Sequence, residues 1–139
     1  MTFSQSIKSV FSKYVTFSGR ASRSEYWYFA LFNFIIYAVI YCIAAATTPV
    51  DVTEAVSGNG YFYSCFAALP TWASCVLSIY GLVVLLPSLA VSVRRLHDIG
   101  NGGGWIFINL IPLIGAIWYL VYMILPSQLG DNRFGPQPE

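Results

Sequence analysis

The chain's one histidine stands beside a carboxylate, His97-Asp98, directly after two arginines, Arg94-Arg95. An imidazole next to an acid is a pairing that general-base catalysis uses, and two guanidiniums can grip an anion. The surroundings carry neither chemistry far. Adjacent residues on a helix point in different directions, and no Ser or Cys nucleophile stands beside the pair. One His with scattered carboxylates is also too few ligands for a metal. Cys42, Cys65 and Cys75 have no CxxC spacing and lie in or beside apolar stretches, where free thiols act as small hydrophobes. A Cys42–Cys65 bridge is the alternative. The expectation is no catalytic residue, no cofactor and no metal.

What surrounds the charged block says more. No residue is charged over 55–93 or over 99–130. Charged side chains in hydrocarbon are costly, so in a membrane protein they collect where the chain meets water. The composition agrees: 57% hydrophobic and 9% charged, against about 25% charged in soluble domains, with mean hydropathy +0.64. At 139 residues the chain has room for one unit. Its net charge of +1 and pI near 7.7 give no electrostatic case for nucleic acid, which calls for a basic face.

The elements that must position the block follow from hydrophobic spacing. Over residues 1–25, Ile7, Val10, Phe11 and Tyr14 recur at helical intervals with Ser4 as N-cap. This predicts an amphipathic helix lying in the interface, or a few turns packed on the end of a bundle. Residues 26–46 form a first uncharged span of about 21 residues, enough to cross a core of about 30 Å. Ser22-Arg23-Ser24-Glu25 reads as a capping box that opens it, and Tyr26, Trp27 and Tyr28 as an interfacial aromatic belt. A cleaved signal peptide fits poorly, because the apolar region and the segment before it are both too long.

A loop over 47–60 leads to 33 uncharged residues, 61–93, too long for one span and too short for two with a turn. Proline favours the first helical turn, so Pro70 divides them into an interfacial aromatic stretch, 61–69, and a second span, 70–93. Tyr61, Phe62, Tyr63 and Trp72 then belong to an interface belt. A third span covers 105–125, and 126–139 is an irregular Pro/Gly-rich tail. The fold class expected is an all-α integral membrane protein with three transmembrane helices and an amphipathic N-terminal helix. Lys8, Lys13, Arg20, Arg23, Arg94 and Arg95, six of the seven basic residues, fall on the side of the N-terminus. The positive-inside rule makes that side cytoplasmic. Three spans would put the tail outside; a re-entrant third segment would keep it inside.

Three blocks of this sequence resemble a family of small bacterial inner-membrane proteins known as domain of unknown function 805. They are Gly19-Arg20-Ala21-Ser22-Arg23-Ser24-Glu25-Tyr26-Trp27, then Arg94-Arg95-Leu96-His97-Asp98, then Asn132-Arg133-Phe134-Gly135-Pro136. Trp105 and Ile111-Pro112-Leu113-Ile114-Gly115 are similar too. Gly102-Gly103-Gly104 departs from the pattern, which more often has Ser or Ala and a Trp pair, and loosens the turn. The resemblance implies residence in a bacterial inner membrane and brings no established activity.

Three groups of residues are candidate sites. Arg20, Arg23, Glu25, Arg94, Arg95, His97 and Asp98 should share one interface, as a structural clamp and topology anchor or as a docking patch for anionic lipid or a partner protein. Asn33, Pro87, Ser88, Asn109 and Pro112 should lie roughly 6–10 Å below that interface at 1.5 Å per residue. There the prolines free the Val83 and Ile108 carbonyls, and Asn amides act as polar glue between helices or line a polar path. Asn132, Arg133, Phe134, Gly135 and Pro136 form a tail motif that folds back, with Arg133 on Asp131 or a carbonyl, or docks a partner. The functional expectation is a non-enzymatic membrane protein that packs with itself or with a membrane partner. A subunit of an oligomeric channel or small-solute transporter is the alternative.

Overall fold

In the computed structural model of the protein, residues 1–47 and 69–138 are described. The loop over 47–60, the aromatic stretch 61–69 and Cys65 lie outside them, apart from the end residues Thr47 and Leu69. Every regular element among the described residues is helical, with one isolated bridge between Asn132 and Gly135.

Helix α1 spans Phe3–Ser12. Its N-cap is Thr2 rather than Ser4, because Gln5 stands three residues later and closes a capping box. The Gln5 N–H donates to Thr2 Oγ1 and the Thr2 N–H donates to Gln5 Oε1. The apolar stripe of α1 is partly covered by protein: Val10 is fully buried, Ile7 is half-buried, and the exposed Phe11 ring meets Phe29 and Phe32 edge-on at 5.9 and 6.3 Å.

Helix α2 spans Arg23–Thr47 and helix α3 spans Thr71–Asp98. At 25 and 28 residues they are about 37 and 42 Å long, and both are apolar enough to cross a bilayer. Half of the expected capping box opens α2: Ser22 Oγ accepts from the Glu25 N–H at 3.3 Å, while the Glu25 carboxylate turns elsewhere. Pro70 lies just ahead of α3, its carbonyl accepting from Ala73 and Ser74. The charged block over 94–98 is the last helical turn of α3. The helix then stops in a Schellman pair, Asn101 N–H to Leu96 O at 2.9 Å and Gly100 N–H to His97 O at 3.0 Å, with Gly100 at φ +82°. Only glycine takes that φ without strain.

The segment expected as a third span is broken. A 3-10 helix over Gly103–Leu110 is followed by a turn and then by helix α4, Ile114–Ile124. A continuous helix through Pro112 would lose its bond to the Ile108 carbonyl and clash with it. Instead Ile111 is extended, as the residue before proline prefers, and its N–H takes the Ile108 carbonyl at 3.0 Å. Ile114 N–H then reaches the Pro112 carbonyl at 2.8 Å across Leu113 at φ +64°, a γ-turn of the strained hand. Eight 3-10 residues and 11 α residues each cover about 16 Å, half of a bilayer core. The segment begins against Val93 and His97 of α3, which flank Gly103, and ends with the Met123 and Leu125 carbonyls on Arg95. It thus returns to the end of α3 from which it set out.

The chain divides into two units, Met1–Phe32 with Val84–Glu139, and Asn33–Val83. The first holds a small core of Val10, Ala21, Phe29 and Val91 with Tyr26 packed on it. In the second, the Tyr37 and Tyr80 rings meet edge-on at 5.4 Å.

Candidate functional site

Five charged side chains are buried in the first unit: Arg20, Glu25, Arg94, Arg95 and Asp98. Arg20, in the linker before α2, is drawn to Asp98 at the end of α3, its Nε donating to Oδ1 at 3.0 Å. Its remaining donors meet backbone carbonyls: Nη1 those of Gly130 (2.6 Å) and Gly135 (3.4 Å), Nη2 those of Gln128 and Asp98. Five acceptors thus face the five N–H groups of one guanidinium. Arg95 takes the other Asp98 oxygen, Oδ2, and donates to the carbonyls of Met123, Leu125 and Ala21. The Met123 and Leu125 carbonyls close the end of α4 and would otherwise lack a donor; Trp27 Nε1 adds a bond to Met123 at 3.3 Å. Burial lowers the hold of Arg95 on its proton and Asp98 opposes that.

The second pair is Arg94 Nη1 with Glu25 Oε1 at 3.0 Å, and Ser9 of α1 donates to the same oxygen at 2.9 Å. This bond is why Glu25 does not reach back to its cap. Nε and Nη2 of Arg94 are buried with no hydrogen-bond partner among the described residues. Three guanidiniums therefore face two carboxylates in this clasp.

His97 stands apart from Asp98. Its Nδ1 lies 3.2 Å from the Gly19 carbonyl, so Nδ1 carries the proton, and its ring stacks on Phe134 at 3.9 Å. Burial pushes the imidazole below its ordinary range; the Gly19 bond opposes this and Arg133 adds to it. The tail folds over this ring. Asn132 Nδ2 donates to the His97 carbonyl at 2.9 Å, and Arg133 Nη2 to the Gly100 carbonyl at 3.3 Å. Asn132 and Gly135 also bond each other through their backbones.

Not every candidate joins this arrangement. Arg23 is exposed on the first turn of α2 and makes no ion pair among the described residues. The Ile108 carbonyl, expected to seek an Asn amide, is taken by Ile111 N–H. Asn109 and Pro112 are exposed, Pro87 is buried within α3 and Ser88 is half-buried. Asn33 accepts from Tyr80 Oη at 2.8 Å inside the second unit. Pro136 is exposed beyond the tail turn. Three polar contacts had no sequence signal strong enough to find them: Ser9 on Glu25, Trp27 on Met123, and Tyr119 Oη on Ser92 at 2.8 Å. Ser6 and Ser9, three apart beside Val10 on the inner face of α1, were the one hint available.

Two long apolar helices gathered at one end by a buried guanidinium–carboxylate clasp define a helical membrane protein. A family described as "Protein of unknown function (DUF805)" matches residues 14–136, and the chain belongs to it. The inner membrane protein YhaI of Escherichia coli strain K12 is 34% identical over 131 residues, covering 94% of this chain and 92% of that protein. The inner membrane protein YhaH of the same strain is 35% identical over 130 residues, covering 94% of this chain and 93% of that one. No solved structure matches the chain.

Proposed function

We propose that this is a non-enzymatic inner-membrane protein that acts by packing its apolar helix faces against a second copy or a membrane-protein partner. α2 and α3 cross the bilayer, the segment from Gly103 to Ile124 dips in and returns, and both termini are cytoplasmic. The observation that carries this reading is the clasp. Apart from two buried Arg94 nitrogens, its arginines and acids are engaged with one another, with Ser9 and with backbone carbonyls, so they hold the helix ends and tail together. Most of what is left exposed along α2, α3 and α4 is apolar: Phe34, Ile79, Leu82 and Ile117 are each more than 60% exposed. Six of seven basic residues fall on the N-terminal side by sequence, and the fold-back of the tail adds Arg133, which supports a cytoplasmic assignment.

The test is cross-linking in native membranes followed by purification. A stoichiometric homo-oligomer or a co-purifying membrane protein is the expected outcome. A chain that is monomeric and alone in native membranes contradicts the packing reading.

A further inference from the structure

The turn between α3 and the 3-10 segment opens a groove of about 540 Å³, lined by Gly102, Gly104, Trp105, Ile108 and Arg133. Three features of these residues bear on what would fill it. The floor is bare, since a Cβ on Gly102 or Gly104 would meet nothing within 4 Å. The wall of Trp105 and Ile108 is apolar. The cation is held in place: Arg133 donates one nitrogen to the Gly100 carbonyl and lies 4.6 Å over the Phe134 ring. Its Nε and Nη1 have no hydrogen-bond partner among the described residues. A guanidinium tethered at one edge, its other donors without a partner among the described residues, is arranged to receive a phosphate oxygen pair.

The groove also lies at a particular level of the molecule. It begins where the uncharged run of α3 gives way to Arg94 and Arg95, so in a bilayer it sits at headgroup depth, with the apolar 3-10 segment descending from it. Arg20 and Arg95 are buried and engaged, and the two unpartnered nitrogens of Arg94 are themselves buried away from this groove's lining, which leaves Arg133 as the tail's contribution to an anion. We propose that this groove binds the phosphate headgroup of an anionic glycerophospholipid, with Arg133 on the phosphate and Trp105 and Ile108 beside the glycerol and upper acyl chain. The site rests on the bilayer placement proposed above for α3 and the Gly103–Ile124 segment, and not on the packing of helix faces against a partner.

The experiment is native mass spectrometry of the full-length protein in mild detergent, titrated with phosphatidylglycerol, phosphatidylcholine or inorganic phosphate. One saturable phosphatidylglycerol per chain is expected, bound in preference to phosphatidylcholine. Arg133→Ala should weaken it about tenfold, the loss of one charge-assisted contact, and Arg133→Lys should restore part of the affinity. Gly104→Asp sets a carboxylate on the open floor without touching the tail, and should weaken binding as much while leaving the melting temperature near wild type. Lys8→Ala/Lys13→Ala should leave binding unchanged. Wild-type binding by Arg133→Ala and Gly104→Asp would overturn the site. So would an equal loss in the lysine double variant, which marks diffuse attraction, equal binding of phosphatidylcholine, or saturation by inorganic phosphate alone.

Discussion

Arg94 is the least satisfied side chain of the clasp, with Glu25 the one acceptor its buried guanidinium has among the described residues. Neutralising Glu25 leaves that charge uncompensated out of water, so Glu25→Gln should cost about 3–5 kcal/mol, read as a fall in melting temperature in detergent. Glu25→Leu combined with Arg94→Met removes both charges and should recover most of the loss, since apolar replacement of a buried pair is often neutral. A double variant no better than Glu25→Gln would mean the pair acts through more than its charges. His97 makes the second residue-scale prediction. Its folded form holds a proton less readily than a free imidazole, so the unfolded chain binds more protons as pH falls. The stability it contributes is present above about 6.5 and is lost as pH drops through the lower, folded value. Melting temperature should therefore fall below pH 6.5, and His97→Ala should flatten that part of the profile while the protein still inserts. The membership of the cluster was legible because charge excluded from hydrocarbon has few places to go. Its acceptors were not: the carbonyls of Gln128, Gly130, Met123 and Leu125 leave no trace in side-chain type, and Arg23 carries the same charge as Arg20 yet faces solvent.

At the scale of elements, α2 and α3 were readable from apolar runs of spanning length, though each runs past its apolar limits, α3 by the whole charged turn. The 105–125 segment is helical but not continuous, for a physical reason. Hydropathy counts apolar residues and is blind to the backbone break that Pro112 imposes and that Leu113 completes. Two substitutions examine that break. Leu113 is 79% exposed, and an L-residue at positive φ costs about 1–2 kcal/mol. Glycine gives back up to about 1 kcal/mol of that in chain entropy. Leu113→Gly should thus melt at or above wild type, and a clear drop would contradict the γ-turn. Gly115→Ala should do the reverse, because its Cβ would run into the Ile108 carbonyl. Overpacking of this kind costs typically about 1–3 kcal/mol, and an unchanged melting temperature would show that α4 does not cross the 3-10 segment so closely.

At the scale of the molecule, the charge pattern named one interface as the place where the chain is held together, but not that the tail is held there too. Counting three spans sends the C-terminus across the membrane; the contacts of Arg20 with the Gln128, Gly130 and Gly135 carbonyls bring it back beside the N-terminal segment. With α2 and α3 across the bilayer as proposed, that return would put both termini, the clasp and the proposed lipid groove on one face of the membrane. It is tested most directly by placing a single cysteine at Gln137, with Cys42, Cys65 and Cys75 replaced by serine, and probing intact cells with a membrane-impermeant maleimide. No labelling is expected until the inner membrane is opened, as for a cysteine placed at Thr2. Labelling of the Gln137 position in cells whose inner membrane is intact would contradict it.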